Sequence, residues 1–254
     1  MHIFLRSFIA TIFLLCSLLS PSVWADEVRV AVASNFAAPM EDLAKLFQKE
    51  SGHTLKLEVA ASGKLYAQIK GGAAFDVFLS ADEALPRQLM QDGLAVIGSR
   101  FVYARGKLVL WSVRHNFVDE KGAMLRKRNY SKLAITNPWF SPYGEAAKET
   151  LSNLTMWNSI QEKLTKGENV IRTYQLAVTE GADLALISLS QVMRNGKVAS
   201  GSWWIVPQEL HKPLQQNAVL LSRAKDKDSA KAFLTFLKSA KAKQLMRDFG
   251  YEFP

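Results

Sequence analysis

Four short segments of this 254-residue chain place hydroxyl, amide or small residues at the expected start of a helix. Ser34-Asn35 follows the apolar run Val30-Ala31-Val32-Ala33, and Ser62-Gly63 follows Ala60-Ala61. Pro142-Tyr143-Gly144 and Asn169-Val170 open two further helical patterns. The first turn of a helix leaves backbone N–H groups without intrahelical partners, at the positive end of the helix dipole. Such an end holds an anion without any cationic side chain. Any one of the four alone reads better as a cap that serves only its own helix. Four together, two from each half of the chain, read as a shell of neutral donors. Charge-assisted bonds from amides and hydroxyls have fixed geometry, which suits a fully ionised small dianion that must be selected by shape and released again.

Other chemistries fit the residues less well. His53, His115 and His211 lie far apart, with no cysteine or paired carboxylate at ligand spacing, so no direct cation site is expected. A nucleophile elbow needs glycine two residues before the serine, and Ala60 stands there before Ser62. A secreted serine hydrolase using Ser62 is therefore the weaker alternative of another class. Ser222-Arg223-Ala224-Lys225 matches Ser-x-x-Lys but lacks the companion Lys-Thr-Gly. Asp76 and Asp82 flank the run Val77–Ser80, where turn and capping roles outweigh acid–base work.

The elements that must carry the four starts alternate between strand and helix patterns. Val28–Ala33, Thr54–Ala60 and Asp76–Ser80 read as strands. Helical periods cover Met40–Lys49, Leu65–Ile69 and Pro86–Asp92. Two strands surround Arg105-Gly106, and the pattern then restarts. Leu133–Ile135 and Ala182–Ile187 are strands, and helices cover Gly144–Leu154, Val170–Glu180 and Ser190–Asn195. Trp203–Val206 and Ala218–Leu221 are strands, and Ser229–Phe249 reads as one long C-terminal helix. Repeated βα units call for α/β lobes, each a mostly parallel sheet flanked by helices. Extended crossings near 103–108 and 205–215 predict a two-lobed fold with a ligand cleft between the lobes. The expected division is 26–106 for the first lobe, 107–210 for the second, and 211–254 returning to the first. A single large doubly wound domain is the alternative.

Residues 1–25 read as a signal peptide rather than as fold. Arg6 opens it, Phe8–Leu19 is too short to span a bilayer, and Val23-Trp24-Ala25 resembles a peptidase site. This implies export. The only cysteine, Cys16, lies in that segment, so the mature chain relies on its core and not on disulfides. The formal net charge is +9, but the basic residues are scattered. That distribution argues against nucleic acid as a partner.

At the donor segments the sequence resembles the periplasmic molybdate-binding proteins of ABC transporters, along nearly the whole mature chain. Ala33-Ser34-Asn35 with Met40 is similar to the family's opening, and Ala61-Ser62-Gly63-Lys64-Leu65-Tyr66-Ala67-Gln68-Ile69 to its second ligand loop. Gly72-Ala73-Ala74-Phe75-Asp76-Val77-Phe78-Leu79-Ser80-Ala81-Asp82 resembles its most recognisable stretch. The resemblance implies a type II periplasmic binding protein that holds molybdate or tungstate, with no cofactor and no catalysis. It would act as a monomer and deliver its ligand to a membrane ABC permease. Carried over by position, the ligand residues fall on Ser34, Ser62, Tyr143 and Val170. Many members carry a further ligand tyrosine on the strand that reads Leu184-Ala185-Leu186-Ile187-Ser188 here, and it is absent. A family variant instead has a tyrosine at the helix start and an asparagine after the first serine, matching Tyr143 and Asn35. Alternatives that keep the fold are a sulfate, thiosulfate or carboxylate ligand, or docking to a membrane receptor in place of a permease.

Overall fold

The computed structural model describes residues 25–179 and 181–253. The leader expected over 1–25, with Arg6 and Cys16, lies outside the described residues up to position 24. So does Glu180, the expected last residue of a helix. The described residues begin with β1 (Glu27–Ala33), α1 (Ala37–Ser51), β2 (Thr54–Ala60), α2 (Ser62–Lys70), β3 (Val77–Ser80) and α3 (Ala84–Gln91). β4 (Phe101–Gly106) then runs into β5 (Leu108–Ser112) with only Lys107 between them. The short α4 (Ala123–Lys127) precedes β6 (Leu133–Thr136), α5 (Pro142–Asn153), β7 (Leu164–Gly167), α6 (Val170–Thr179) and β8 (Leu184–Ser188). The chain ends with β9 (Met193–Arg194), β10 (Lys197–Val198), β11 (Ser202–Ile205), β12 (Leu214–Leu220), α7 (Asp228–Phe236) and α8 (Ala240–Asp248).

Ten of these strands build two five-stranded sheets, ordered β2-β1-β3-β12-β4 and β11-β5-β8-β6-β7, and β9 pairs with β10 apart from them. In the first, β1 pairs in parallel with β2 and β3, while β12 runs antiparallel to β3 and β4. In the second, β6 pairs in parallel with β7 and β8, and β5 runs antiparallel to β8 and β11. Each sheet thus holds four strands of one direction and one opposing strand. In both cases the opposing strand directly follows a crossing from the other sheet, through Lys107 or through 206–213.

The first sheet is apolar on both faces, which explains its unbroken hydrophobic runs. Successive side chains of a strand point to opposite faces. Val28, Val30 and Val32 of β1 pack with Met40, Phe47 and Phe233 from α1 and α7. Ala31, Phe78 and Val219 pack on the other face with Leu65 and Leu89 from α2 and α3. The second sheet has one continuous core that joins Leu108–Trp111, Leu133–Ile135 and Leu184–Ile187 to Ala147 and Leu151 of α5 and Ala177 of α6. That core also takes in Ala33 and Ala81 from strand ends of the first sheet, so the two lobes meet there.

Two expected helices differ from the structure. Ser190–Asn195 is not a helix but a 3-10 turn (Leu189–Gln191) followed by the β9–β10 hairpin. Asn195 and Gly196 both have positive φ, 52° and 72°, the conformation that an Asn-Gly hairpin turn demands. The long C-terminal helix is two helices. Ser239 interrupts it, and its hydroxyl accepts from Ala242 N (3.1 Å), capping α8.

Candidate functional site

The four helix starts meet where the two sheets face each other. Ser34 ends β1 and begins a 3-10 turn, Ser34–Phe36. Its Oγ accepts from the Val170 amide at the start of α6 (3.2 Å), across the cleft. α6 is firmly capped by Asn169. The Asn169 carbonyl accepts from Thr173 N (3.0 Å) and its Oδ1 from Arg172 N (2.8 Å). The amide of Val170 is therefore left to face outward.

Ser62 opens α2 after the extended Ala61. Its Oγ accepts from Ala81 N (3.1 Å), which ties the α2 start to the end of β3. The next amide, Gly63 N, donates to the carbonyl of Phe140 in the second lobe (2.9 Å). A Cβ on Gly63 would lie 3.1 Å from both Cα and O of Phe140, so glycine permits this approach. At the cleft mouth Lys64 Nζ pairs with Glu168 Oε2 (2.6 Å). In α5 the first bond to the cap runs from Glu145 N to Ser141 O (2.9 Å), which leaves the amide of Tyr143 ahead of it.

Ser34, Asn35, Ser62, Tyr143 and Val170 are all buried. Both serine hydroxyls accept from backbone amides. A hydroxyl so engaged keeps its own proton to donate, and its direction is set by the amide. The donor set is uncharged. Burial pushes the Tyr143 phenol well above its usual pKa and that of Tyr251 up to about 12, so both stay protonated.

Residues 28–252 match the family model for the bacterial extracellular solute-binding proteins. The chain belongs to that family. The molybdate-binding protein ModA of Azotobacter vinelandii is 43% identical over 234 residues, covering 92% of this chain and 93% of its own length. ModA of Rhodobacter capsulatus is 43% identical over 227 residues, covering 89% and 88%. The solved periplasmic molybdate-binding protein of Azotobacter vinelandii superposes with a TM-score of 0.86 at 36% identity, covering 89% of this chain and 99% of that one. The sulfate-binding protein SubI of Mycobacterium tuberculosis superposes at 0.72 with 13% identity, over 89% of this chain and 86% of that one, a likeness of fold.

Within this solute-binding protein, two expected site residues are oriented in ways the sequence did not indicate. The Asn35 side chain points into a buried network. Its Nδ2 donates to Gln216 Oε1 (2.7 Å) and to Tyr251 Oη (2.9 Å). The Tyr143 phenol turns toward the crossing strands. A Cβ on Gly106 would fall 2.0 Å from its Oη, and that Oη has no hydrogen-bond partner. Four residues of this neighbourhood escaped sequence reasoning: Phe140, Ser190, Gln216 and Tyr251. Asp82 sits beside the site, with its Oδ1 accepting from Leu85 N (2.9 Å) to cap α3. Burial, with some help from the Glu145 charge in α5, raises its carboxyl to about 6.

Proposed function

We propose that this protein captures molybdate, and tungstate with it, in the periplasm and delivers it to an ABC permease. The observation that carries the reading is the meeting of Ser34 Oγ with the Val170 amide across the cleft. It brings a hydroxyl of one lobe and a helix-start amide of the other within reach of one small anion. Ser34 and Ser62 would donate their hydroxyls. Tyr143 would donate its main-chain amide, Val170 would turn its amide from Ser34 Oγ to the anion, and Asn35 would contribute its own main-chain amide. The ModA relatives at 43% identity support molybdate as the ligand.

The physical logic is a size filter. Donors fixed to rigid strand and helix ends cannot follow a smaller tetrahedron inward, so sulfate would bond imperfectly. Protonated phosphate needs an acceptor, and this set is made of donors. Closure would be a hinge motion of lobe 26–106 with 211–254 against lobe 107–210, turning on Lys107 and on segment 206–213. The ligand would stabilise the closed form because it bonds donors of both lobes.

The test is a thermal-shift series on residues 26–254 with molybdate, tungstate, sulfate and phosphate. A ligand at about a thousand times its Kd adds roughly 4 kcal/mol. Large shifts with molybdate and tungstate alone are expected. A shift with sulfate in their place would refute the size filter and keep the fold. No shift with any of the four would refute the oxyanion reading.

A further inference from the structure

Asn35 is held at four points by groups from three distant parts of the chain. Its Nδ2 donates to Gln216 Oε1 of β12 and to Tyr251 Oη, three residues past the end of α8. Its main-chain carbonyl accepts from Tyr251 Oη (2.9 Å) and from Ser190 Oγ (2.6 Å). A primary amide carries two N–H donors, and both are used here. The side chain therefore has no donor to spare for an anion while this network stands. What the network fixes instead is the peptide group that joins Asn35 to Phe36, within the turn that Ser34 begins.

The holders are themselves fixed. Gln216 Nε2 donates to Leu214 O (2.9 Å), which sets the orientation of its amide. The Tyr251 ring packs edge-on against Phe36 in the same 3-10 turn, with centroids 5.2 Å apart. The next residue, Glu252, exchanges two backbone bonds with Arg105 at the end of β4 (2.6 and 2.9 Å). The chain's last residues thus form a brace between the crossing strand and the Ser34–Asn35 turn.

We infer that Tyr251, assisted by Gln216, is a positioning residue for oxyanion capture, locking the Asn35 peptide so that the Ser34 turn presents its donors at a fixed spacing. This rests on the oxyanion reading above. A loosened turn would lose affinity for the larger anion and would also lose discrimination, because a size filter depends on donors that do not move.

The experiment is titration calorimetry of molybdate and sulfate against the full mature chain and against Tyr251→Phe, which keeps the ring and its packing on Phe36. The molybdate Kd is expected to rise about tenfold, equivalent to about 1.4 kcal/mol, as the Ser34 turn loosens. The molybdate-to-sulfate affinity ratio falls with it, and the ligand-free melting temperature falls as well, because the Asn35 amide and carbonyl each lose a buried partner. Gln216→Met, which removes the other acceptor of Nδ2, moves both readouts in the same direction and serves if Tyr251→Phe folds poorly. Tyr130→Phe, which removes a buried phenol of the second lobe, leaves both unchanged. A Tyr251→Phe protein with molybdate affinity within twofold of wild type and an unchanged ratio overturns the inference, whatever its melting temperature. A wild-type protein that binds no oxyanion overturns the functional reading itself, and with it this one.

Discussion

Replacing Gly63 with alanine separates closure from folding. Gly63 lies in the first turn of α2, where alanine is the better helix former by up to about 1 kcal/mol. The open form of the first lobe should therefore be no less stable. The closed form loses on two counts. The Gly63 N to Phe140 O bond (2.9 Å) lengthens or breaks, at about 0.5–1.5 kcal/mol. The new Cβ, 3.1 Å from the Phe140 backbone, adds an overpacking cost of about 1–3 kcal/mol. Even the lower sum of about 1.5 kcal/mol predicts more than a tenfold loss of molybdate affinity. Titration calorimetry measures the affinity, and scanning calorimetry the ligand-free melting temperature. Affinity is expected to fall while that temperature holds or rises. An affinity loss below threefold would refute the reasoning, because the Gly63–Phe140 contact would then not belong to the bound form. So would an equal drop in ligand-free stability, which would mean general damage.

Ser62→Ala removes a hydroxyl donor and the acceptor of Ala81 N, and should weaken molybdate binding by about 1–3 kcal/mol, one to two powers of ten by calorimetry. Tyr143→Phe deletes a buried hydroxyl that has no partner and keeps the main-chain amide, so the melting temperature should rise while molybdate affinity stays within about twofold. Asp82 titrates near 6 in the folded chain against 3.8 unfolded, so its contribution to stability is fullest below pH 3.8 and is lost as pH rises through about 6. Asp82→Asn keeps the cap on Leu85 and should be more stable than wild type at pH 7.5, by up to about 3 kcal/mol, with the gain vanishing near pH 4. A difference in melting temperature that is constant from pH 4 to 8 would contradict that assignment.

The parts legible in the sequence were those whose causes are local. The run Val28–Ala33 declares a strand buried on both faces, and the structure places it in the middle of a sheet with helices on either side. Strand direction was less visible. β12 and β5 oppose their neighbours because each arrives by a crossing from the other sheet, which no local period records. Asn195-Gly196 carried a hairpin signal that competes with its reading as a helix stop, and the positive φ at both residues decides for the hairpin. Ser239 is a helix breaker only because its hydroxyl finds Ala242 N; in an amphipathic run it reads as one more polar residue. The helix starts were findable one by one. That Asn35 turns away toward Tyr251 was not, because the two are 216 residues apart and neither pattern names the other.

The place of β12 bears on the order in which this chain can assemble. The second sheet draws all five strands from one continuous stretch, Leu108–Ile205, so its pairings become available as soon as that stretch is made. The first sheet cannot be completed then. β12 lies between β3 and β4, so until Leu214–Leu220 arrives β4 has no strand to pair with, although it was made more than a hundred residues earlier. Such distant pairings are slow to find and leave apolar edges open while they wait. The last turn of chain, through Tyr251 and Glu252, then binds β4 and the Ser34 turn together. A molecule clipped by even a few residues at its end would keep its second lobe and lose the brace on its first. The Ser34 turn is thus braced only once residues 251 and 252 are in place.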